Sequence, residues 1–185
     1  MSYYGGNDVT TTVLEFLENG TAPAISYNSE LTLYRSDKSI ASDDLPLVQN
    51  FHGPRILGSQ STIQGVTIGV EWLSSGEETL NNSRMILHRV ALGIYVPISA
   101  FDGNADSGFE SAVHYVTVMR GMFMRAALTG AYGSTLNNGG TTMPRRVNRA
   151  IIVGDTMGID EGSNEYNYLP LIDLEVEVIG DYPGT

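Results

Sequence analysis

The strongest periodicity in the chain runs from Asp106 to Gly130. Ala112, Tyr115, Val116, Met119, Met122, Phe123, Ala126 and Ala127 recur at three- and four-residue steps. At about 100° per residue they make one apolar stripe, with His114, Thr117, Gly121 and Arg125 on the opposite side. Ser107 followed by Glu110 has the capping-box spacing, and Gly130 stands where a left-handed residue ends a helix. A second helix is predicted over Asp8–Asn19. Val9, Val13, Phe16 and Leu17 share a face there, Asn7 or Asp8 can cap it, and Gly20 stops it. Three consecutive threonines lower its propensity, because β-branched side chains lose rotamer freedom in a helix.

Two-residue alternation marks the strands. Val66, Ile68, Val70 and Trp72 share one face, with Thr67, Gly69 and Glu71 on the other. Ser74–Ser83 reads as a polar loop. Arg84–Ile98 is a long strand with Ile86, Val90, Leu92, Ile94, Val96 and Ile98 on one face and Met85, Leu87, Ala91 and Tyr95 on the other. Both faces are largely apolar, which predicts a central strand covered on both sides. Arg149–Val153 is a further strand, and Gly154–Tyr168 reads as an irregular acidic stretch. Pro170–Ile179 alternates most clearly, with Ile172, Leu174, Val176 and Val178 facing a core and Asp173, Glu175 and Glu177 facing water. Thr21–Ser61 has little regular pattern. Leu31–Tyr34 reads as a short strand, Ser36-Asp37-Lys38 as a turn, and Pro23, Pro46 and Pro54 favour extended connections.

The resulting order predicts an α+β fold of mostly antiparallel sheet, with an N-terminal helix and one central helix packed on it. Residues 1–185 form a single domain, in which 21–61 and 131–146 are extended arms or long loops. The loop Ala131–Thr142 is rich in glycine, asparagine and threonine.

Charge adds an asymmetry. Hydrophobic residues make up 42% and charged residues 17%, a globular balance, and the formal net charge is −11. Such a surface repels nucleic acid rather than binding it. Seven of the ten Lys/Arg residues lie between Arg84 and Arg149, whereas residues 150–185 hold eight carboxylates and no Lys or Arg. A subunit polarised in this way suits head-to-tail contact with its own copies. No apolar run approaches the roughly 20 residues of a membrane helix, so no membrane is expected as a partner. Nor does the N-terminus read as a secretory signal. Without that signal the formal sequon Asn81-Asn82-Ser83 has no weight.

Candidate chemistry is sparse. Cysteine is absent, and His52, His88 and His114 have no metal-ligand spacing among themselves. Asp102-Gly103-Asn104-Ala105-Asp106 opens like a calcium loop. Ser107 then stands in place of the required glycine, and Val113 in place of the bidentate glutamate, so a turn and helix cap is the better reading. Gly139-Gly140 lacks the Lys-Ser/Thr of a phosphate loop, and no G-x-S-x-G elbow occurs. No catalytic residue, metal or cofactor is predicted, and the chain reads as a non-enzyme. Two charge features remain. Arg145, Arg146 and Arg149 form a basic cluster that could dock against an acidic neighbour, as a candidate subunit interface. The Asp173, Glu175 and Glu177 row could line a channel along which a polyanion slides without sticking. A solvated strand entrance and an ordinary wet sheet face are the plain alternatives.

The element order of N-terminal helix, meander, long strand Arg84–Ile98, helix Asp106–Gly130 and two closing strands resembles the tail terminator, or tail-completion, proteins of long-tailed bacteriophages. The resemblance lies in architecture, size and charge, with no diagnostic motif. It implies a small α+β subunit that assembles into a hexameric ring on the end of the tail tube. It also implies a DNA channel and a surface that docks to the head-tail connector. The partners it implies are copies of the chain itself, a tail tube protein, a connector or stopper protein, and DNA as passing cargo. The implied location is the virion neck, after assembly in the host cytoplasm. Another tube or neck subunit, and a small-ligand-binding domain or enzyme with its site in the long loops, are the alternative readings.

Overall fold

A computed structural model describes residues 6–20, 26–53, 65–80, 83–101, 104–128, 147–163 and 165–179. The chain folds in the order α1 (Gly6–Asn19), α2 (Tyr27–Lys38), β1 (Asn50–His52), β2 (Thr67–Leu80) and β3 (Ser83–Pro97). A 3₁₀ turn (Ile98–Phe101), α3 (Ala105–Leu128), β4 (Val147–Ser163) and β5 (Glu165–Ile179) follow. The five strands form one sheet in the order β1-β2-β3-β5-β4, antiparallel except for the β1–β2 pair. The fold is α+β, and β3, expected over Arg84–Ile98, is the central strand, with Ile98 in the 3₁₀ turn that follows it.

One face of the sheet packs against α1 and α3, and α2 packs on those two helices. Ile68 and Val70 of β2, Val90, Leu92, Ile94 and Val96 of β3, and Ile172, Leu174, Val176 and Val178 of β5 are buried there. They meet Val9, Val13, Phe16 and Leu17 of α1, and Ala112, Tyr115, Val116, Met119, Met122 and Phe123 of α3. Phe16 and Phe123 lie ring against ring, 5.5 Å between centroids, where the two helices meet. Gly20 ends α1 at φ 57°, donating its N–H to Phe16 O. The predicted α1 and α3 stripes are therefore the stripes that pack, although the Ala126 and Ala127 side chains and Gly130 lie outside the described residues.

The second sheet face is covered along only part of β3. Tyr95 and Leu169 form a small buried cluster with Leu171, whereas Arg89 is exposed. Burial on both sides thus holds at the C-terminal end of the strand and is broken at Arg89, with Met85 and Leu87 half-buried toward its start.

Four expectations need correction. Leu31–Tyr34 is not a strand and Ser36–Lys38 is not a turn, because both belong to α2. Ser26 caps that helix by accepting from Ser29 N–H, and Ser39 closes it in the left-handed region at φ 57°. Residues 26–53 are not an extended arm. Asn28 clamps Val48 through two hydrogen bonds, donating from Nδ2 to Val48 O (2.9 Å) and accepting Val48 N–H at Oδ1 (3.0 Å). Tyr115 Oη donates to Pro46 O, Ser111 Oγ to Asp44 O and Tyr27 Oη to Tyr115 O, so the run between α2 and β1 is tied to α3. Burial raises both phenols above the usual tyrosine range, which keeps them neutral donors.

Third, Ser74–Leu80 and Ser83, expected in a loop, are strand, while Asn81 and Asn82 lie outside the described residues. β2 and β3 pair continuously from Ser74↔Arg89 to Leu80↔Ser83, and Gly154–Tyr168 likewise belongs to a β4–β5 hairpin. Cross-strand pairing satisfies the backbone of these polar stretches without an alternating apolar face. Fourth, Asn104 rather than Ser107 caps α3, its Oδ1 accepting from the N–H groups of Asp106 and Ser107. No described helix is long and apolar enough to cross a membrane.

Candidate functional site

The pleat of β5 places Asp173, Glu175 and Glu177 on the sheet face away from the helices, and the register decides what each of them meets. Arg89 of β3 stands opposite Glu175, and Arg149 of β4 opposite Glu177. Arg89 Nη2 lies 3.3 Å from Glu175 Oε1, and Arg149 Nη2 lies 3.2 Å from Glu177 Oε2. Glu177 is only 6% exposed, while its arginine is about half in water. Asp173 has Ala91 and Gly154 as neighbours across the strands and is exposed.

The row is therefore not uniformly acidic. Two of its carboxylates face guanidinium groups of the same chain, which cancels much of their field a few ångströms away. Asp173, together with Glu71 two strands over beyond Ala91, supplies the negative potential that remains. The basic cluster and the acidic row, expected on opposing surfaces, touch within one subunit through Arg149. Arg145 and Arg146 lie outside the described residues.

The histidines divide by environment. His52 is exposed on β1. His114 Nδ1 lies 2.9 Å from Tyr34 Oη and its ring tilts on the tyrosine, so a residue assigned to the polar side of α3 braces α2 instead. His88 is 3% exposed and accepts a hydrogen bond at Nδ1 from Trp72 Nε1, 3.3 Å away. Trp72 can only donate, so the His88 proton resides on Nε2, which is buried without a partner. Burial lowers the His88 pKa, and the ring is neutral at pH 7.

The ion pair of Arg120 on α3 with Asp155 on β4 straps the helix to the last hairpin. Neither it nor the Arg89–Glu175 pair was predicted. The only cue for the second was a lone arginine at an outward position of an apolar strand. Among the described residues no group of three or more His, Asp or Glu side chains can hold a metal ion. The arrangement offers salt-bridged charge on the second sheet face and, among the described residues, two sheet edges without a partner strand. No known protein family matches this chain, and no curated protein matches it.

Proposed function

We propose that the chain is a structural virion subunit of a long-tailed bacteriophage. In this reading it is a tail terminator that forms a ring on the tail tube and joins it to the head-tail connector around a channel for DNA. The observation that supports it is the architecture: an N-terminal helix and one long central helix on the same face of a mostly antiparallel sheet, closed by a two-stranded hairpin. The other sheet face exposes Arg89 and Asp173, which are placed to meet cargo or neighbours. The net charge of −11 suits a channel that must release DNA. Arg145, Arg146 and Arg149 serve subunit contact in this reading, and Asp173 is the member of the acidic row best placed to act on a passing polyanion.

Native mass measurement with negative-stain imaging, on the protein alone and mixed with a tail tube protein, tests the reading. Rings are expected in at least one setting, and a monomer at high concentration in both overturns it. For the channel, Asp173→Lys leaves rings intact and lowers infectious yield. Unchanged yield removes that face from the lumen.

A further inference from the structure

The sheet ends on two edges that lack partners among the described residues. β1 pairs only with Thr67–Gly69, so the outer side of β2 is without a ladder from Val70 onward, and β4 forms the opposite edge. Neither Val70–Leu80 nor Ala150–Ser163 contains lysine or proline, the usual guards of an edge strand. β4 has bulges near both of its ends, between Val147 and Arg149 and between Asp160 and Ser163, and each edge has one beside its middle, between Trp72 and Ser74 on β2 and between Ile152 and Gly154 on β4.

The two bulges lie at one height. The register runs Trp72–Val90–Leu174–Ile152 straight across the sheet, and the extra residues Leu73 and Val153 sit at its two ends. Val90 and Leu174 inside that row are buried, whereas Leu73 is 50% and Val153 54% exposed. A neighbouring row, Arg149–Glu177–Leu87–Gly76, puts Arg149 on the β4 edge level with the β2 residue that precedes Glu77 and Glu78. The edges thus match each other at their centres, with exposed Leu73 level with exposed Val153. β4 also runs antiparallel to β2, so a second copy set beside β4 continues the antiparallel alternation of the sheet. Bulges at equal height let the kinked edges of successive copies meet in step.

We infer that copies of this chain join head to tail by strand addition: the β4 edge of one subunit lies antiparallel against the Trp72–Leu80 edge of β2 in the next, with Val153 against Leu73. The contact is heterologous, so it propagates from copy to copy instead of stopping at two, and it closes where the rotation per subunit completes a ring. The inference deepens the ring-subunit reading and rests on it.

Because the chain has no cysteine, the contact can be tested by cross-linking. The full-length variants Leu73→Cys, Val153→Cys and the double variant are treated with a short bismaleimide, with native mass recorded in parallel. The double variant should give a covalent ladder ending at the copy number of the native assembly, and neither single variant should give dimers. Val153→Lys should shift the assembly to monomer with an unchanged far-UV circular dichroism spectrum. An oligomer that persists in the double variant without cross-links, or in Val153→Lys at wild-type yield, overturns the edge contact and leaves the ring reading standing. Dimers from Val153→Cys alone replace the head-to-tail contact with a two-fold one. A monomer at every concentration overturns both.

Discussion

Deleting Arg149 should cost more than neutralising its partner, although the arginine is the more exposed of the two. At 3.2 Å and an effective dielectric constant of about 20, the Arg149–Glu177 attraction is about 5 kcal/mol. Most of that offsets the desolvation of Glu177, which is almost wholly buried. Arg149→Ala removes the attraction and leaves the desolvation. Removing one partner of a fully buried pair costs about 3–5 kcal/mol. Half of this arginine is already in water and Glu177 has a further contact, so about 2 kcal/mol is expected, roughly thirty-fold in the unfolding constant. Glu177→Gln alone should cost under about 1 kcal/mol, because the amide oxygen still accepts from Arg149 and the arginine can turn into solvent. In the Arg149→Ala background the same change should stabilise by about 1 kcal/mol, since it removes a buried charge that has lost its arginine. Urea unfolding followed by Trp72, the only tryptophan, reads all four proteins. With a slope of about 2 kcal/mol/M the first variant moves the midpoint by about 1 M. Two protein concentrations separate association from folding, because only association makes the midpoint concentration-dependent. A loss below about 0.5 kcal/mol for Arg149→Ala, or an equal cost of Glu177→Gln in both backgrounds, refutes the reasoning.

Asn28→Ala removes both hydrogen bonds to the buried backbone of Val48 and should cost about 2–3 kcal/mol in the same assay. A cost under about 1 kcal/mol means that other contacts hold the run between α2 and β1. Ser39→Gly relieves a left-handed residue at the end of α2 and should stabilise by about 0.5–1 kcal/mol, so a thermal midpoint at or below wild type counts against that cap. Burial holds the His88 pKa below its ordinary 6.5, so the unfolded chain binds the proton first. The stability this contributes is whole above about pH 6.5 and is lost as pH falls toward the lower folded value. Urea midpoints at pH 7.5, 6.5 and 5.5 should fall less steeply for His88→Phe, and parallel slopes would assign the acid sensitivity to other groups.

Periodicity made α1, α3 and the packed face of the sheet legible, because in each the buried residues repeat at the element's own period, but on the face of β5 expected to be wet only Asp173 is exposed and Glu177 is buried. It failed at α2, where the packed positions are Tyr27, Glu30 and Leu31. A carboxylate interrupts that stripe, and the anchor is an asparagine hydrogen-bonded across a loop rather than an apolar contact. It failed again at both hairpin arms, where Ser74–Ser83 and Gly154–Tyr168 are held by cross-strand pairing that leaves no hydrophobic trace. At the candidate site the acidic row was legible as a pattern but its partners were not. Arg89 reaches Glu175 only through the register of strands far apart in sequence, and Arg149 reaches Glu177 through a hairpin whose arm reads as an irregular stretch. The matched bulges at Leu73 and Val153 had no signal in the sequence, since a bulge is a property of two strands together.

The β3–β5 pairing divides the molecule by the order in which its parts can form. β2 with β3, and β4 with β5, are neighbours in sequence and close as hairpins on the microsecond scale. The seam between them joins Met85 to Ile179 and Ala91 to Asp173 across the whole of α3, and the entropy of closing so long a loop falls on that single event. Folding thus reduces to docking two preformed halves along one strand pair, with α3 as the tether. Each half exposes a raw central edge until the seam closes. That interval is when a nascent chain is most exposed to pairing with the wrong strand.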